Sequence, residues 1–205
     1  MSRISLLALA ACVLVSGCAV NEVMVAEETE LDVATVRQQE SLLLDIGIVE
    51  FYAGIPEDNE PAKTRIYESI RSAESRYLAY HLKSTLQETG HWGAVRVVPS
   101  TNAFTDVSVA ARIARSDGEF VTLDVTVRDA IGQTWMRRSY ATQTGMSSYS
   151  DRRDRRLDPY QKVFNDIAND LRAHVATLPS DYLKRVREVS ELQFFADMAP
   201  AQYSQ

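Results

Sequence analysis

The sequence predicts an α+β fold, in which helices cover one face of a mixed or antiparallel sheet and a helical pair ends the domain. Three observations predict it. Apolar and polar residues alternate on both sides of an Asp-Gly turn at 117–118, as in an antiparallel hairpin. A nearly continuous apolar run at 42–51 indicates a buried strand. Apolar residues at three- and four-residue steps indicate amphipathic helices before and after the hairpin.

The first half of the domain is predicted to hold a strand, a helix and a second strand. The first strand covers Leu42–Phe51, and the helix runs from Ser69 or Ser72 to Thr89, where a glycine can end it. A short strand follows over Ala94–Val98 and is closed by a proline. The predicted apolar face of the helix consists of Ile70, Ala73, Tyr77, Leu78, His81, Leu82 and Leu86.

The second half is predicted as a meander followed by two helices. Strands over Val107–Ile113 and Val121–Arg128 form the hairpin, and Thr134–Thr142 adds a third strand. After a polar loop, Asp158-Pro159 can begin a helix as N-cap and first-turn proline. Its apolar stripe is Tyr160, Val163, Phe164, Ile167, Leu171 and Val175. A last helix begins near Ser180, ends at about Phe195 and carries Leu183, Val186, Val189 and Leu192.

The amino-terminal segment has the parts of an export signal. Arg3 supplies positive charge, Ile4–Val15 supplies an apolar core, and small residues precede Cys18. Two alternatives stay open, namely an uncleaved transmembrane helix and ordinary secretory cleavage with Cys18 incidental. A membrane span takes about 20 apolar residues, and here the polar residues Asn21 and Glu22 stop the run.

The stretch Val15-Ser16-Gly17-Cys18 resembles the lipobox of bacterial lipoproteins. The resemblance implies that Cys18 becomes the first residue of the mature chain and carries acyl chains such as palmitate. Two or more chains anchor a protein stably. Ala19 stands where aspartate would retain an enteric lipoprotein at the inner membrane, which implies the periplasmic face of the outer membrane.

The predicted organisation follows from this processing. Residues 1–17 form the signal peptide, 18–41 an acidic lipidated tether, 42–195 the periplasmic domain and 196–205 a tail. The whole chain has a net charge of −6, which argues against a nucleic-acid partner. Cys18 is the only cysteine outside the leader, so the domain is predicted to have no disulfide.

We expect no catalytic activity, no cofactor and no metal. Zinc sites use three or four ligands at close spacing, whereas His81, His91 and His174 are scattered. His81 is better explained as a hydrogen-bonded residue at the edge of the core. Nucleophile motifs and glycine-rich phosphate loops are absent from the sequence. A periplasmic hydrolase remains the less favoured alternative.

Two features suit the binding of a partner. The first is the arginine loop, which we define by Arg152, Arg153, Arg155 and Arg156; guanidinium groups pair with carboxylate or phosphate. Interleaved aspartates make a solvated, self-paired loop the simpler interpretation. The second feature is aromatic, because Tyr80 lies off the predicted helix stripe and Trp92 lies beside a turn. Exposed aromatic residues are common interface anchors.

The order of elements resembles the periplasmic domains of auxiliary lipoproteins of ABC-type transport systems and TolB-N-terminal-like envelope domains. The residues that carry the resemblance are Ile46–Phe51, Glu74–Gly90, Ala94–Pro99 and Val107–Asp129. It implies an accessory or adaptor subunit of an envelope complex with protein partners. A lipid-binding carrier in a lipid transport system is the alternative, and it would need an apolar cavity of several hundred Å³.

Overall fold

The computed structural model describes residues 29–36, 43–99, 104–143 and 160–199, and it contains the predicted α+β fold. The predicted starting residues Asp158 and Pro159 of the penultimate helix lie outside the described residues. In chain order the elements are β1 (Ile46–Val49), α1 (Pro61–Thr64), α2 (Glu68–Thr89), β2 (Val95–Val98), β3 (Val107–Ser116), β4 (Phe120–Asp129), β5 (Thr134–Gln143), α3 (Gln161–Ala176) and α4 (Ser180–Met198).

The five strands form one mixed sheet in the order β2-β1-β3-β4-β5. Strand β1 is parallel to both neighbours, with Ile48 opposite Val97 on one side and Val109 on the other. The β3–β4 and β4–β5 pairs are antiparallel. Helix α2 connects β1 to β2, since parallel strands require a crossover of this length. Strand β1 is shorter than the predicted Leu42–Phe51. Helix α1 lies in a region for which no element was predicted.

The hairpin of β3 and β4 confirms the alternation in the sequence. Its inward residues are buried on one face of the sheet: Val107, Val109, Ala111, Ile113, Val121, Leu123, Val125 and Val127. In the turn, one oxygen of Asp117 accepts the N–H groups of Glu119 and Phe120 at 3.0 and 2.8 Å. The Phe120 N–H in particular lowers the pKa of Asp117. Gly118 has a φ of 86°, a conformation that glycine adopts without strain.

Helix α2 packs with a different face from the one predicted. Leu78, Leu82 and Leu86 are buried as expected, but Ile70 and Tyr77 are exposed. The predicted Ala73 is exposed as well. The physical reason is the charged residue next to Ile70. Arg71 is buried, where it donates to the Ser116 carbonyl at 3.0 Å and pairs with Glu74 at 3.1 Å. This attachment to the end of β3 turns the neighbouring apolar residues to solvent.

Helix α3 packs on the same face of the sheet through the predicted stripe. Val163, Phe164, Ile167 and Leu171 are fully buried. The ring of His81 on α2 lies 4.4 Å from that of Phe164, and its Nε2 is 2.7 Å from the Gln161 side-chain oxygen. The prediction that His81 is a hydrogen-bonded residue at the core boundary is confirmed.

Helix α4 crosses the end of the sheet at which β1 and β3 begin, and polar groups hold it there. Tyr182 donates to Asp129 at the end of β4, and Ser190 donates to Asp106 just before β3. Arg187 donates to the Leu43 carbonyl at 3.0 Å. Of the predicted stripe only Val186 is buried, and Leu192 is exposed. The expectation is confirmed for Val186 and for Leu183, which is partly buried against the core. It was wrong for Leu192, because that part of α4 meets polar groups at the strand ends.

The second half of the predicted tether lies along the domain. Asn165 donates to the Thr29 carbonyl at 2.7 Å, and Asn169 donates to the Glu30 carbonyl at 2.8 Å. Leu31 packs against the core. Residues 29–36 therefore follow the surface of α3 and reach the end of α2, where the N–H of Ala34 donates to the Thr89 carbonyl at 2.7 Å. Among the helices of the described residues, none is long and apolar enough to cross a membrane.

Candidate functional site

A cavity of about 430 Å³ lies where the turn after α2 meets α3 and α4, and we call it the α3–α4 pocket. Gly90 ends α2 with a φ of 66°, and the chain then turns so that His91 and Trp92 line the cavity. The turn is fixed to β1, because the Gly93 N–H donates to the Leu44 carbonyl at 3.0 Å and the Ala94 N–H donates to Asp45 at 2.8 Å.

The walls of the pocket are largely apolar. Leu44 enters from the start of β1, the Trp92 ring from the turn, Val175 from α3 and Leu183 from α4. Trp92 is only 7% exposed. Helix α4 is attached to the end of the sheet by polar contacts at Tyr182 and Ser190, and the cavity lies between residues of α3 and residues of α4.

Four buried nitrogen atoms of the pocket residues have no hydrogen-bond partner within the described residues. They are Nδ1 and Nε2 of His91, Nε1 of Trp92 and Nε of Arg172. The Asp32 carboxylate is 3.6 Å from His91 Nε2, which is too long for a hydrogen bond. Buried polar groups are nearly always hydrogen-bonded in folded proteins. Their concentration around one cavity makes the pocket a candidate site for the polar atoms of a ligand or of ordered water.

The charged residues of the pocket differ in how far they are neutralised. Arg187 pairs with Glu191 at 3.7 Å and also donates to the Leu43 carbonyl. Lys184 is 3.9 Å from Asp181. Arg172 forms neither a hydrogen bond nor an ion pair with any of the described residues. Its guanidinium is thus the cation that remains available to a ligand.

A second feature lies at the far end of α4. We define the α4 patch as Phe104, Leu192, Phe194, Phe195 and Met198, all of which are exposed. The ring of Phe194 is 6.2 Å from that of Phe104 and 5.8 Å from that of Phe195, in edge-to-face arrangements. A groove of about 730 Å³ lies beside these rings, and its floor includes the hydrogen-bonded pair Asp106–Ser190.

The predicted site residues have different outcomes. Cys18 and the arginine loop lie outside the described residues. Tyr80 is 57% exposed on α2, as expected. The expectation that Trp92 is an exposed anchor was wrong. The fixed turn between Gly90 and Gly93 directs its indole inward, into the wall of the pocket.

No group of three or more histidine, cysteine, aspartate or glutamate side chains that could hold a metal occurs in the described part of the chain. His174 stands in the last turn of α3, with its ring 5.6 Å from that of Trp135. Sequence reasoning missed both the pocket and the patch. The adjacent Phe194 and Phe195 were the available signal for the patch, because no helical face can bury two consecutive rings equally.

Comparisons with known proteins provide no family for this chain. No protein-family model matches, and no curated protein matches. Among solved structures, a hypothetical protein of Chlamydia trachomatis, CT253, has 12% identity and a TM-score of 0.46 over 65% of this chain and 99% of its own. A PelC dodecamer of Paraburkholderia phytofirmans has 14% identity and a TM-score of 0.39 over 72% and 96%.

A third structure is named as a neuraminyllactose-binding hemagglutinin homolog of Helicobacter pylori. It has 12% identity and a TM-score of 0.33 over 80% of this chain and 99% of its own. At these values the three structures assign no function to this chain.

Proposed function

We propose that the protein is a non-catalytic, lipid-anchored lipoprotein at the periplasmic face of the outer membrane, where it acts as an accessory or adaptor subunit of an envelope complex. The observation that carries the adaptor role is the α4 patch. The anchor rests on the lipobox-like stretch that ends at Cys18.

The α4 patch has the composition of a protein interface. Its residues are apolar, three of them are phenylalanine, and Phe195 is 54% exposed. Contiguous apolar surface of this kind marks interaction sites on soluble domains. Around the groove stand charged side chains, including Asp45 and Arg96, which pair at 3.1 Å. An apolar centre with a polar rim is the usual anatomy of an interface.

The charge around the patch favours a protein over a lipid surface as its occupant. Residues 188–198 hold three acidic side chains and no lysine or arginine, and the two arginines that line the groove, Arg96 and Arg187, are paired with Asp45 and Glu191. Helices that dock on anionic membranes carry cationic residues on their polar face. We therefore propose that the α4 patch binds a protein partner with an apolar surface flanked by basic residues.

The test removes the two adjacent rings of the patch. In Phe194→Ser/Phe195→Ser, we expect the complex isolated from cross-linked envelopes to lose this protein, because aromatic anchors dominate interface energies. Thermal unfolding should be nearly unchanged, since exposed positions usually alter stability by less than about 0.5 kcal/mol. Native electrophoresis with mass spectrometry of the complex gives the measurement.

Tyr52→Ser is the matched control, because Tyr52 is 63% exposed and lies beyond the carboxyl end of β1, at the other end of the sheet. This control should keep the complex. A complex that survives the double variant would contradict the adaptor role of the patch. Binding of the purified chain to anionic vesicles, lost in the double variant, would assign the patch to the membrane instead.

A carrier for a lipid or similar amphiphile is the second candidate function. The observation that favours it is the α3–α4 pocket, whose volume lies within the range of about 300–1,000 Å³ typical of small-molecule sites. The two candidates use different surfaces of α4. A variant of the α4 patch should therefore leave the pocket able to bind.

A further inference from the structure

We propose that the α3–α4 pocket binds a small amphipathic anion, with its carboxylate or phosphate head on Arg172 and its apolar part against Leu44, Trp92, Val175 and Leu183. This inference goes beyond the adaptor role and deepens the carrier alternative by naming the class of ligand. It does not depend on the α4 patch.

The head group follows from the hydrogen-bonding capacity of the unpaired atoms. Trp92 Nε1 and Arg172 Nε can only donate, and a neutral His91 offers one donor and one acceptor. A ligand that satisfies these atoms must therefore present mainly acceptor oxygens. A hydroxyl or an ammonium group supplies fewer acceptors or none, so an oxyanion is the best match.

The charge of the head follows from Arg172. Its Nε is buried, and the side chain has no ion pair with the described residues. The residue as a whole is half-buried, but a buried N–H donor without an acceptor is unfavourable. The Nε edge of a guanidinium, together with one terminal nitrogen, is a fork that matches the two oxygens of a carboxylate or phosphate.

The acidic groups near the pocket do not supply this partner. Glu191 is engaged by Arg187 at 3.7 Å, and Glu188 is exposed on α4. Asp32 approaches His91 but is 57% exposed and does not line the cavity. A ligand head beside Arg172 is thus the simplest source of the missing negative charge.

The apolar part of the ligand follows from the walls. Leu44, Val175 and Leu183 carry no polar side-chain atoms, and the flat Trp92 ring adds a broad apolar surface. Ordered water could satisfy isolated N–H groups in such a cavity, but water gains nothing from these walls. An acyl chain gains binding free energy with each methylene that it buries against them.

The experiment uses Trp92 as its own reporter. The chain has two tryptophans, so Trp135→Phe leaves Trp92 alone. The mature chain from residue 18 onward, with Cys18→Ser, carries neither acyl chains nor the apolar leader and can be titrated without detergent. The probes share one ten-carbon chain and differ in the head group: decanoate, decyl phosphate, decanol and decyltrimethylammonium. Calorimetry on the protein that keeps Trp135 gives the number of ligands bound per chain.

We expect decanoate or decyl phosphate to bind once per chain and to change the Trp92 emission, with decanol and decyltrimethylammonium at least about tenfold weaker. The preferred anion distinguishes a carboxylate ligand from a phosphate ligand. Arg172→Gln should weaken binding of the anion by about tenfold or more, because a hydrogen bond between charged groups is lost. Arg185→Gln, an exposed position on α4 outside the pocket, should bind as the parent does.

A second variant guards against a folding defect in Arg172→Gln. Val175→Phe fills the cavity while keeping every charge, and it should abolish binding with an unchanged or raised melting temperature. Equal binding of the four probes, full affinity in Arg172→Gln, or no binding of any probe would each overturn the proposal. Phe194→Ser/Phe195→Ser should bind the anion normally, so failure of this site and failure of the adaptor role are separate results.

Discussion

The two carboxyl-terminal helices contact the same sheet through different kinds of force. Helix α3 buries Val163, Phe164, Ile167, Ala168 and Leu171 on the sheet face. Helix α4 buries only Val186 and Ser190, although it is longer. Its contacts are hydrogen bonds to Asp106, Asp129 and the carbonyl of Leu43. Apolar packing fixes α3, and polar contacts at two buried aspartates fix α4.

The difference explains why both candidate sites lie along α4. A helix that buries its apolar residues in a core has none left for other partners. Because Tyr182, Arg187 and Ser190 help to fasten α4, Leu183 is only partly buried against the core and also lines the α3–α4 pocket, and Phe194 stays exposed in the α4 patch. Because hydrogen bonds at the strand ends help to hold α4, some of its apolar side chains can contact a ligand or a partner.

The largest expected effect tests the packing of α3. Phe164→Ala removes a fully buried ring and should lower the free energy of unfolding by about 3–5 kcal/mol. Urea unfolding of the mature chain from residue 18 onward, with Cys18→Ser, measures it. Phe195→Ala on α4 is the matched control and should change stability by less than about 0.5 kcal/mol. Equal losses in the two variants would contradict the division of roles between the helices.

A smaller effect is expected from the polar attachment of α4. Asp129→Ala leaves the Trp135 Nε1–H, the Tyr182 hydroxyl and the Gln133 N–H without their acceptor, which should cost about 1–3 kcal/mol. Hydrogen exchange should then increase in α4 before it increases in α3. Asp124→Ala, an exposed position on the same strand, is the control. Unchanged exchange in α4 would mean that other contacts hold the helix.

The smallest effect concerns pH. Burial, and then the hydrogen bond to Asp129, raise the pKa of Tyr182 above its ordinary value of 10.0. The hydroxyl therefore contributes stability that is fully present below pH 10.0 and is lost as the pH rises through the folded-state pKa. Tyr182→Phe should cost less than about 1 kcal/mol at pH 7. The difference in free energy of unfolding between this variant and the parent should shrink above pH 10.0. A difference that is constant with pH would argue against this contribution.

Periodicity predicted the elements that bury regular apolar rows. The meander and α3 follow their patterns because Val107–Ile113 and Val163–Leu171 meet a continuous apolar surface. The same reasoning failed on α2, where one buried arginine, Arg71, decides which face turns inward. It failed again on Leu192, because only the part of α4 around Val186 reaches the core.

The α3–α4 pocket could not be predicted, because its residues are far apart in sequence and ordinary in type. His91 and Trp92 follow a helix end, and Arg172 lies inside an amphipathic helix. Only the tertiary arrangement leaves their nitrogen atoms buried and unpaired. Asp106 and Asp129 carry no signal in the sequence either, since an aspartate at a strand end is usually a turn residue.

The contact of residues 29–36 with α3 sets a mechanical limit on the proposed anchor. Asn165 and Asn169 hold the carbonyl groups of Thr29 and Glu30, so only residues 18–28 separate the proposed lipid from the first held residue. At no more than about 3.6 Å per residue, this stretch can span at most about 40 Å. A pull from the membrane would reach the domain at the segment bound to α3 and would act first on those side-chain bonds. In the proposed anchored protein, residue 29 must accordingly lie within about 40 Å of the bilayer.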